Sequence, residues 1–136
     1  MVAVQARLLE NVRVLLDHGA DANAGYLGGM KALHIAAFNG ETDIIQALVG
    51  ASADINARVG RRLTPLMVAA MHGRLDAVKA LIGAGADVAA ESEDGMSAIT
   101  LALLNDHTTV ATYLADEGAV VPRGFSAHRE YNFASK

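Results

Sequence analysis

The side chains best suited to chemistry in this sequence are its five histidines, His18, His34, His72, His107 and His128. Two histidines four residues apart on a helix can hold a metal ion together, often with a glutamate as general base. No two of these histidines have that spacing, and the motif His-Glu-x-x-His is absent. The sequence therefore predicts no metal site.

Nucleophile and phosphate-binding motifs are also missing. None of the five serines lies in a Gly-x-Ser-x-Gly motif. The run 83–85 (Gly-Ala-Gly) follows a helical pattern, whereas a phosphate loop follows a strand. Glu91, Glu93 and Asp94 share one polar loop and do not form an opposed acid–base pair. We therefore predict no catalytic residue and no cofactor, which leaves an enzyme acting on a small molecule as the least supported hypothesis.

Composition narrows the class of protein further. With 136 residues the chain falls in the usual range for one domain. Its net charge of −4 offers no basic field for phosphate backbones, so nucleic acid is not an expected partner. No apolar run approaches the ~20 residues that cross a bilayer, and the first residues do not read as a signal peptide. Since cysteine is absent as well, we expect a cytoplasmic protein with no membrane contact.

The element that must position these side chains is a unit that recurs every 33 residues. Residues 66–70 (Leu-Met-Val-Ala-Ala) align with 33–37 (Leu-His-Ile-Ala-Ala), and the same shift aligns Gly73 with Gly40. The interval also relates Asp21, Asp54 and Asp87. Such a period is the signature of a stacked repeat array, whose units pack on their neighbours only.

These units resemble the ankyrin repeat, whose signature is Thr-Pro-Leu-His-x-Ala. The resemblance rests on Thr64-Pro65-Leu66, on residues 33–37 and on the recurring Gly-Ala-Asp turns, and it covers roughly Val4 to Val120. It implies an all-α fold, an α-solenoid of stacked helix-turn-helix units with short, hairpin-like loops. We expect a single domain over 1–121, with units at about 1–25, 26–58, 59–91 and 92–121, and a polar tail over 122–136.

Apolar spacing and helix-end signals predict six short helices, over about 32–38, 42–49, 65–71, 75–82, 98–104 and 108–116. Arg7 stands where Gly40 and Gly73 turn the chain between two helices, so residues 3–17 are expected to form one helix. The first unit then lacks its first half. Either a single helix caps the array, or the chain is cut from a longer one; the apolar residues Val2 and Val4 favour the second alternative.

In ankyrin units, the resemblance implies, the threonine and histidine of the signature hydrogen-bond each other and brace the turn. No unit of this chain has both residues, because the matched pairs are Lys31 with His34, Thr64 with Met67, and Ser97 with Thr100. Thr64 followed by Pro65 still predicts a capped helix start. A lost cap costs ~0.5–2 kcal/mol, so we expect a less stable array than a full-motif array of equal length.

Stacked repeats present an extended concave surface built from the same positions of each unit. In ankyrin proteins, the resemblance implies, this surface comprises the loop tips and the outer side of each first helix. By register, the candidate partner-binding residues are Tyr26, Leu27, Met30, Phe38, Asn39, Arg58, Arg61, Leu63, Met71, His72, Glu93, Asp94, Met96, Leu104 and Asn105.

Two patterns run through this set. The first is an apolar stripe at two equivalent positions of each unit, formed by Met30, Leu63 and Met96 and by Phe38, Met71 and Leu104. The stripe either contacts a partner or packs within the array or under the tail. The second is a change of charge, from Arg58, Arg61 and Arg62 to Glu91, Glu93 and Asp94. These charges either orient a partner or are only solvated.

The favoured hypothesis is a non-catalytic module, expected to be a monomer, that binds another protein through the concave face. The alternative is a structural or capping fragment of a longer solenoid, which the truncated first unit supports. The tail is expected to be mobile; the alternative is that its aromatic residues Phe125, Tyr131 and Phe133 pack it onto the last helix.

Overall fold

The computed structural model describes residues 2–25 and 31–122, with side chains from residue 9 onward. These residues form seven helices: α1 (Val2–Asp17), α2 (Ala32–Asn39), α3 (Thr42–Gly50), α4 (Pro65–Met71), α5 (Leu75–Gly83), α6 (Ala98–Leu104) and α7 (Thr108–Asp116). They contain no strand, only isolated antiparallel bridges joining Gly25 to Lys31 and Val59 to Leu63. The all-α prediction is confirmed, and the prediction about the tail lies outside the described residues.

The helices lie where the period places them. The helices α4, α6 and α7 have the predicted bounds, whereas α2, α3 and α5 each extend one residue further. The first helix is continuous from Val2 to Asp17, as expected from the absence of a turn glycine at Arg7. Thr64 caps α4, because its Oγ1 accepts a hydrogen bond from the backbone N–H of Met67 at 3.2 Å.

The helices form two stacked rows. The inner helices α2, α4 and α6 pack on one another, and the outer helices α1, α3, α5 and α7 form the second row. Each inner helix also contacts the outer helix that follows it. Fully buried side chains recur at equivalent positions in units two to four, as with the leucines Leu48, Leu81 and Leu114 of the outer helices. Burial of one such side chain contributes about 1.5–3 kcal/mol, so the stack is held mainly by repeated apolar contacts.

The turn between α4 and α5 requires glycine. Gly73 has a φ of +69°, and a Cβ added there would lie 2.5 Å from Nδ1 of His107 in the next unit. The equivalent Asp106 has a φ of +61° without that freedom. Ser52 likewise takes a φ of +70° where Gly85 stands one unit later, a conformation that strains a residue with a side chain.

The loops that follow the outer helices are linked by asparagines. The Oδ1 atom of Asn23 accepts from the backbone N–H of Asp54 at 2.6 Å, and Oδ1 of Asn56 accepts from that of Asp87 at 3.0 Å. The equivalent residue of the third unit is Ala89, whose side chain has no polar atom. The loops of the third and fourth units therefore lack this link.

A cleft separates the last two outer helices. It has a volume of about 340 Å³ and lies between α5 and α7, lined by Leu75, Lys79 and Tyr113 among others. The ammonium group of Lys79 lies 5.5 Å from the centre of the Tyr113 ring, so a cation–π contact crosses the cleft.

Candidate protein-binding surface

His34 joins the second unit to the third from inside the array. Its side chain is fully buried, and Nε2 donates to the carbonyl oxygen of Leu63 at 2.9 Å. Its Nδ1 is buried without a hydrogen-bond partner among the described residues, while Lys31 instead donates to the carbonyl oxygen of Asn23 at 2.8 Å. Burial lowers the pKa of His34, although the carbonyls of Leu63 and Ala57 favour its protonated form. This histidine is a structural residue and is not accessible to a partner.

The charged residues at the loop tips contact one another across neighbouring units. Arg58 Nη1 donates to the carbonyl oxygen of Glu91 at 2.6 Å and to that of Arg62 at 2.9 Å. Arg61 Nη1 lies 3.1 Å from Oδ2 of Asp94. Both members of that ion pair are exposed, so it contributes at most about 1 kcal/mol. The opposed charges thus align the third and fourth tips with each other.

The predicted apolar stripe divides into buried and exposed parts. Leu63, Met71 and Met96 are half-buried and pack against the core. The side chains of Phe38 and Leu104 are 45% and 52% exposed. The stripe member Met30, like the other candidates Tyr26 and Leu27, lies outside the described residues. Packing within the array therefore accounts for part of the stripe, whereas Phe38 and Leu104 present large apolar side chains to solvent.

A polar position accompanies these apolar side chains at the end of each inner helix. The ring of His72 meets the ring of Phe38 edge-on, with 4.3 Å between centroids, so the second and third units share this contact. Burial, followed by the charges of Arg74 and His107, lowers the pKa of His72. Asn105 Nδ2 donates to the carbonyl oxygen of Leu101 at 2.8 Å.

We call the exposed or half-buried residues at these inner-helix ends the concave patch, after the surface that the resemblance predicts: Phe38, Met71, His72, Leu104 and Asn105. The sequence matches the profile described as ankyrin repeats (3 copies) over residues 1–59 and 33–123, which together span most of the chain. The chain belongs to the ankyrin repeat family. No curated protein matches it.

Ankyrin repeats are generally protein-interaction modules, and the family is typically non-enzymatic. Within the described parts of the chain, no group of three His, Asp or Glu side chains gathers in a way that could hold a metal ion. None of the helices over residues 2–25 and 31–122 has both the length and the hydropathy that a membrane crossing needs.

The remaining candidate residues are dispersed. Asn39 is exposed at the end of α2, at the position equivalent to His72 and Asn105, and it also lines a cavity toward α1. Glu93 is exposed at the fourth tip, where its backbone N–H donates to the carbonyl oxygen of Arg61 at 2.8 Å. At the N-terminal end, sequence reasoning did not single out the exposed apolar residues Leu15 and Ile35. Their signal was the missing turn glycine at Arg7, because a continuous α1 leaves α2 with no inner helix before it among the described residues.

Proposed function

We propose that this ankyrin array is a non-catalytic interaction module that binds another protein through the concave patch. The observation that supports it is the exposure of Phe38 and Leu104 beside half-buried Met71, on helices whose opposite sides are fully buried. Large apolar groups in one contiguous area usually mark a contact site. A few side chains near the centre of an interface contribute most of the binding energy once water is excluded.

Charge along the array supports one orientation for the partner. Residues 92–122 contain five acidic side chains and no lysine or arginine, namely Glu93, Asp94, Asp106, Asp116 and Glu117. The third unit contributes four basic residues, Arg61, Arg62, Arg74 and Lys79, against three acidic ones, Asp76, Asp87 and Glu91. We propose a partner whose basic groups face the fourth unit and whose acidic groups face the third. Nucleic acid does not fit the acidic fourth unit.

We further propose that the module acts as a monomer in the cytoplasm. The absence of cysteine from all 136 residues supports a reducing compartment. Light scattering over a range of concentrations measures the oligomeric state directly.

The binding proposal is tested by affinity capture with the chain as bait, followed by calorimetry with the protein that is captured. Phe38→Asp and Leu104→Asp alter exposed positions and should each weaken binding roughly ten-fold or more, with unchanged helicity. Val120→Asp is the matched control, because Val120 is an exposed apolar residue away from the concave patch. Equal affinities for all four proteins would remove the concave patch from consideration.

A structural role within a longer solenoid is the second candidate function. The exposed apolar residues at the N-terminal end favour it, because the same positions are buried between units elsewhere in the array. The length of the natural gene product and the folding of a chain extended by upstream residues would distinguish this role from the first.

A further inference from the structure

The helix α1 exposes a residue that is part of the core in every other unit. The period aligns Leu15 of α1 with Leu48, Leu81 and Leu114 of the later outer helices. Those three leucines are 3%, 0% and 0% exposed, whereas Leu15 is 61% exposed. In units two to four an inner helix packs against the outer helix of the same unit, and among the described residues α1 has no such partner.

The first inner helix is open on the same side. Ile35 of α2 is 39% exposed, whereas Val68 and Leu101, its equivalents in α4 and α6, are 6% and 8% exposed. The difference arises because α4 is covered by α2, and α6 by α4. Between α1 and α2 lies a cavity of about 170 Å³, whose lining includes Val12, Ile35, Ala36 and Glu41. We call this cavity the N-terminal groove, and we include Leu15, which stands three residues after Val12 on the same side of α1.

The packing of the inner helices in the array indicates which kind of helix would fit the N-terminal groove. The inner helices are only seven or eight residues long and stack without an intervening layer. Leu66 and Ala70 of α4 are fully buried and stand four residues apart, so they lie on one face of the helix. Leu33 and Ala37 repeat the same pair in α2. The two inner helices on this side of the array thus share a buried face with a large aliphatic residue and an alanine four positions later, whereas α6 has Ile99 and Leu103 there.

The negative charge of Glu41 sets a second requirement for a helix that binds in the groove. In the next unit, Arg74 Nε donates to the carbonyl oxygen of Phe38 at 2.9 Å, which satisfies the C-terminal end of the preceding inner helix. The equivalent residue at the groove is Glu41, whose carboxylate has no hydrogen to donate. A helix seated there would place its negative C-terminal end beside this carboxylate. A lysine or arginine in its last turn would offset both negative charges.

We propose that the N-terminal groove binds a short helix of a partner polypeptide, with a large aliphatic residue and an alanine four positions apart and a basic residue in its last turn. The helix continues the row of inner helices, so its contacts repeat those between α2 and α4. A second copy of this chain does not supply such a helix, because its inner helices are already enclosed in their own array. The proposal is independent of the concave patch, since the two surfaces use different residues.

The test uses a peptide with the sequence of residues 63–74, which carries Leu66, Ala70 and a basic residue at its end. It is titrated into the isotopically labelled full chain, and amide shifts are followed by NMR. An isolated helix of this length is marginal in water, so we expect weak binding, with a Kd of roughly 0.1–1 mM. The shifted amides should belong to α1 and α2. The same peptide with Leu66→Glu and Ala70→Glu should not bind.

Matched variants of the chain complete the test. Leu15→Ser and Ile35→Ser change exposed residues and should weaken peptide binding roughly ten-fold when combined, whereas Val120→Ser should leave it unchanged. Phe38→Asp, which disables the concave patch, should also leave it unchanged. Absence of shifts at millimolar peptide, or shifts outside α1 and α2, would overturn the proposal. So would self-association of the chain that Leu15→Ser abolishes, because the occupant would then be a second copy.

Discussion

At the C-terminal end of the described array an inner and an outer helix close the stack together, whereas at the N-terminal end α1 stands beside α2 without an inner helix of its own. Leu114 is fully buried in the fourth unit although no further unit follows within the described residues. Its outer helix turns Thr108, Thr109 and Asp116 toward solvent. A helix pair therefore buries its own core, and a single outer helix does not.

The largest expected difference is between two leucines at equivalent positions. Leu81→Ala removes a fully buried side chain and should lower the free energy of unfolding by about 2–5 kcal/mol. Leu15→Ala changes an exposed side chain and should cost less than about 1 kcal/mol. Urea unfolding followed by circular dichroism measures both. Similar losses for the two variants would show that α1 is covered in solution.

A second comparison sets an interior glycine against one near the C-terminal end. Gly73→Ala combines a positive φ with a Cβ that would collide with the His107 ring, and it should cost about 2–4 kcal/mol. Gly118→Ala has a φ of +97° but meets nothing within 4 Å, so only the backbone cost of about 1 kcal/mol applies. Thermal unfolding midpoints should fall in that order, and the reverse order would contradict the close approach of adjacent units.

Lys31→Thr should stabilise the second unit. The hydroxyl would give the buried Nδ1 of His34 a partner, which is worth roughly 0.5–1.5 kcal/mol. The control Lys31→Ala loses the lysine bond to Asn23 without supplying a hydroxyl, so it should lower stability slightly. The urea midpoint distinguishes the two. An equal response would mean that the histidine is not reached from position 31.

Stability should also depend on pH through His34. Burial lowers the pKa of His34 in the folded state. The stability that the neutral ring contributes is therefore fully present above the pKa of the unfolded state, about 6.5. As pH falls below that value, the unfolded chain takes up a proton more readily, and stability is lost. His34→Gln should flatten the decline between pH 7 and 5, whereas His72→Gln, at an exposed position, should largely retain it. A profile unchanged by His34→Gln would contradict this assignment.

The smallest effect is expected at the loop tips. Asp94→Asn removes the exposed ion pair with Arg61 and should cost under about 1 kcal/mol, with the difference vanishing in 1 M salt. Arg58→Ala removes hydrogen bonds to two carbonyl oxygens and should cost more than Asp94→Asn. If salt did not alter the effect of Asp94→Asn, the pair would owe its strength to something other than exposed charge.

The period predicted the helices because each unit repeats the same apolar positions and turn residues. It could not predict that the third and fourth tips pair through Arg61 and Asp94, since that contact depends on loop geometry. The period also assigned Leu15 the spacing of a core residue, yet burial depends on a neighbouring helix that spacing does not describe. Within the candidate site, Leu63 and Met71 face partly inward because the inner helices pack closely.

The missing asparagine at Ala89 has a mechanical consequence. The third and fourth units are joined at their tips, where Arg58 and Arg61 reach across, whereas a cleft crossed by the Lys79–Tyr113 contact separates their outer helices α5 and α7. Two units that are joined mainly along one edge can rotate about that edge. We expect the curvature of the array to change most readily at this joint, and Leu104 lies on its far side. A bound partner that contacts all three inner helices would therefore determine the angle between the third and fourth units.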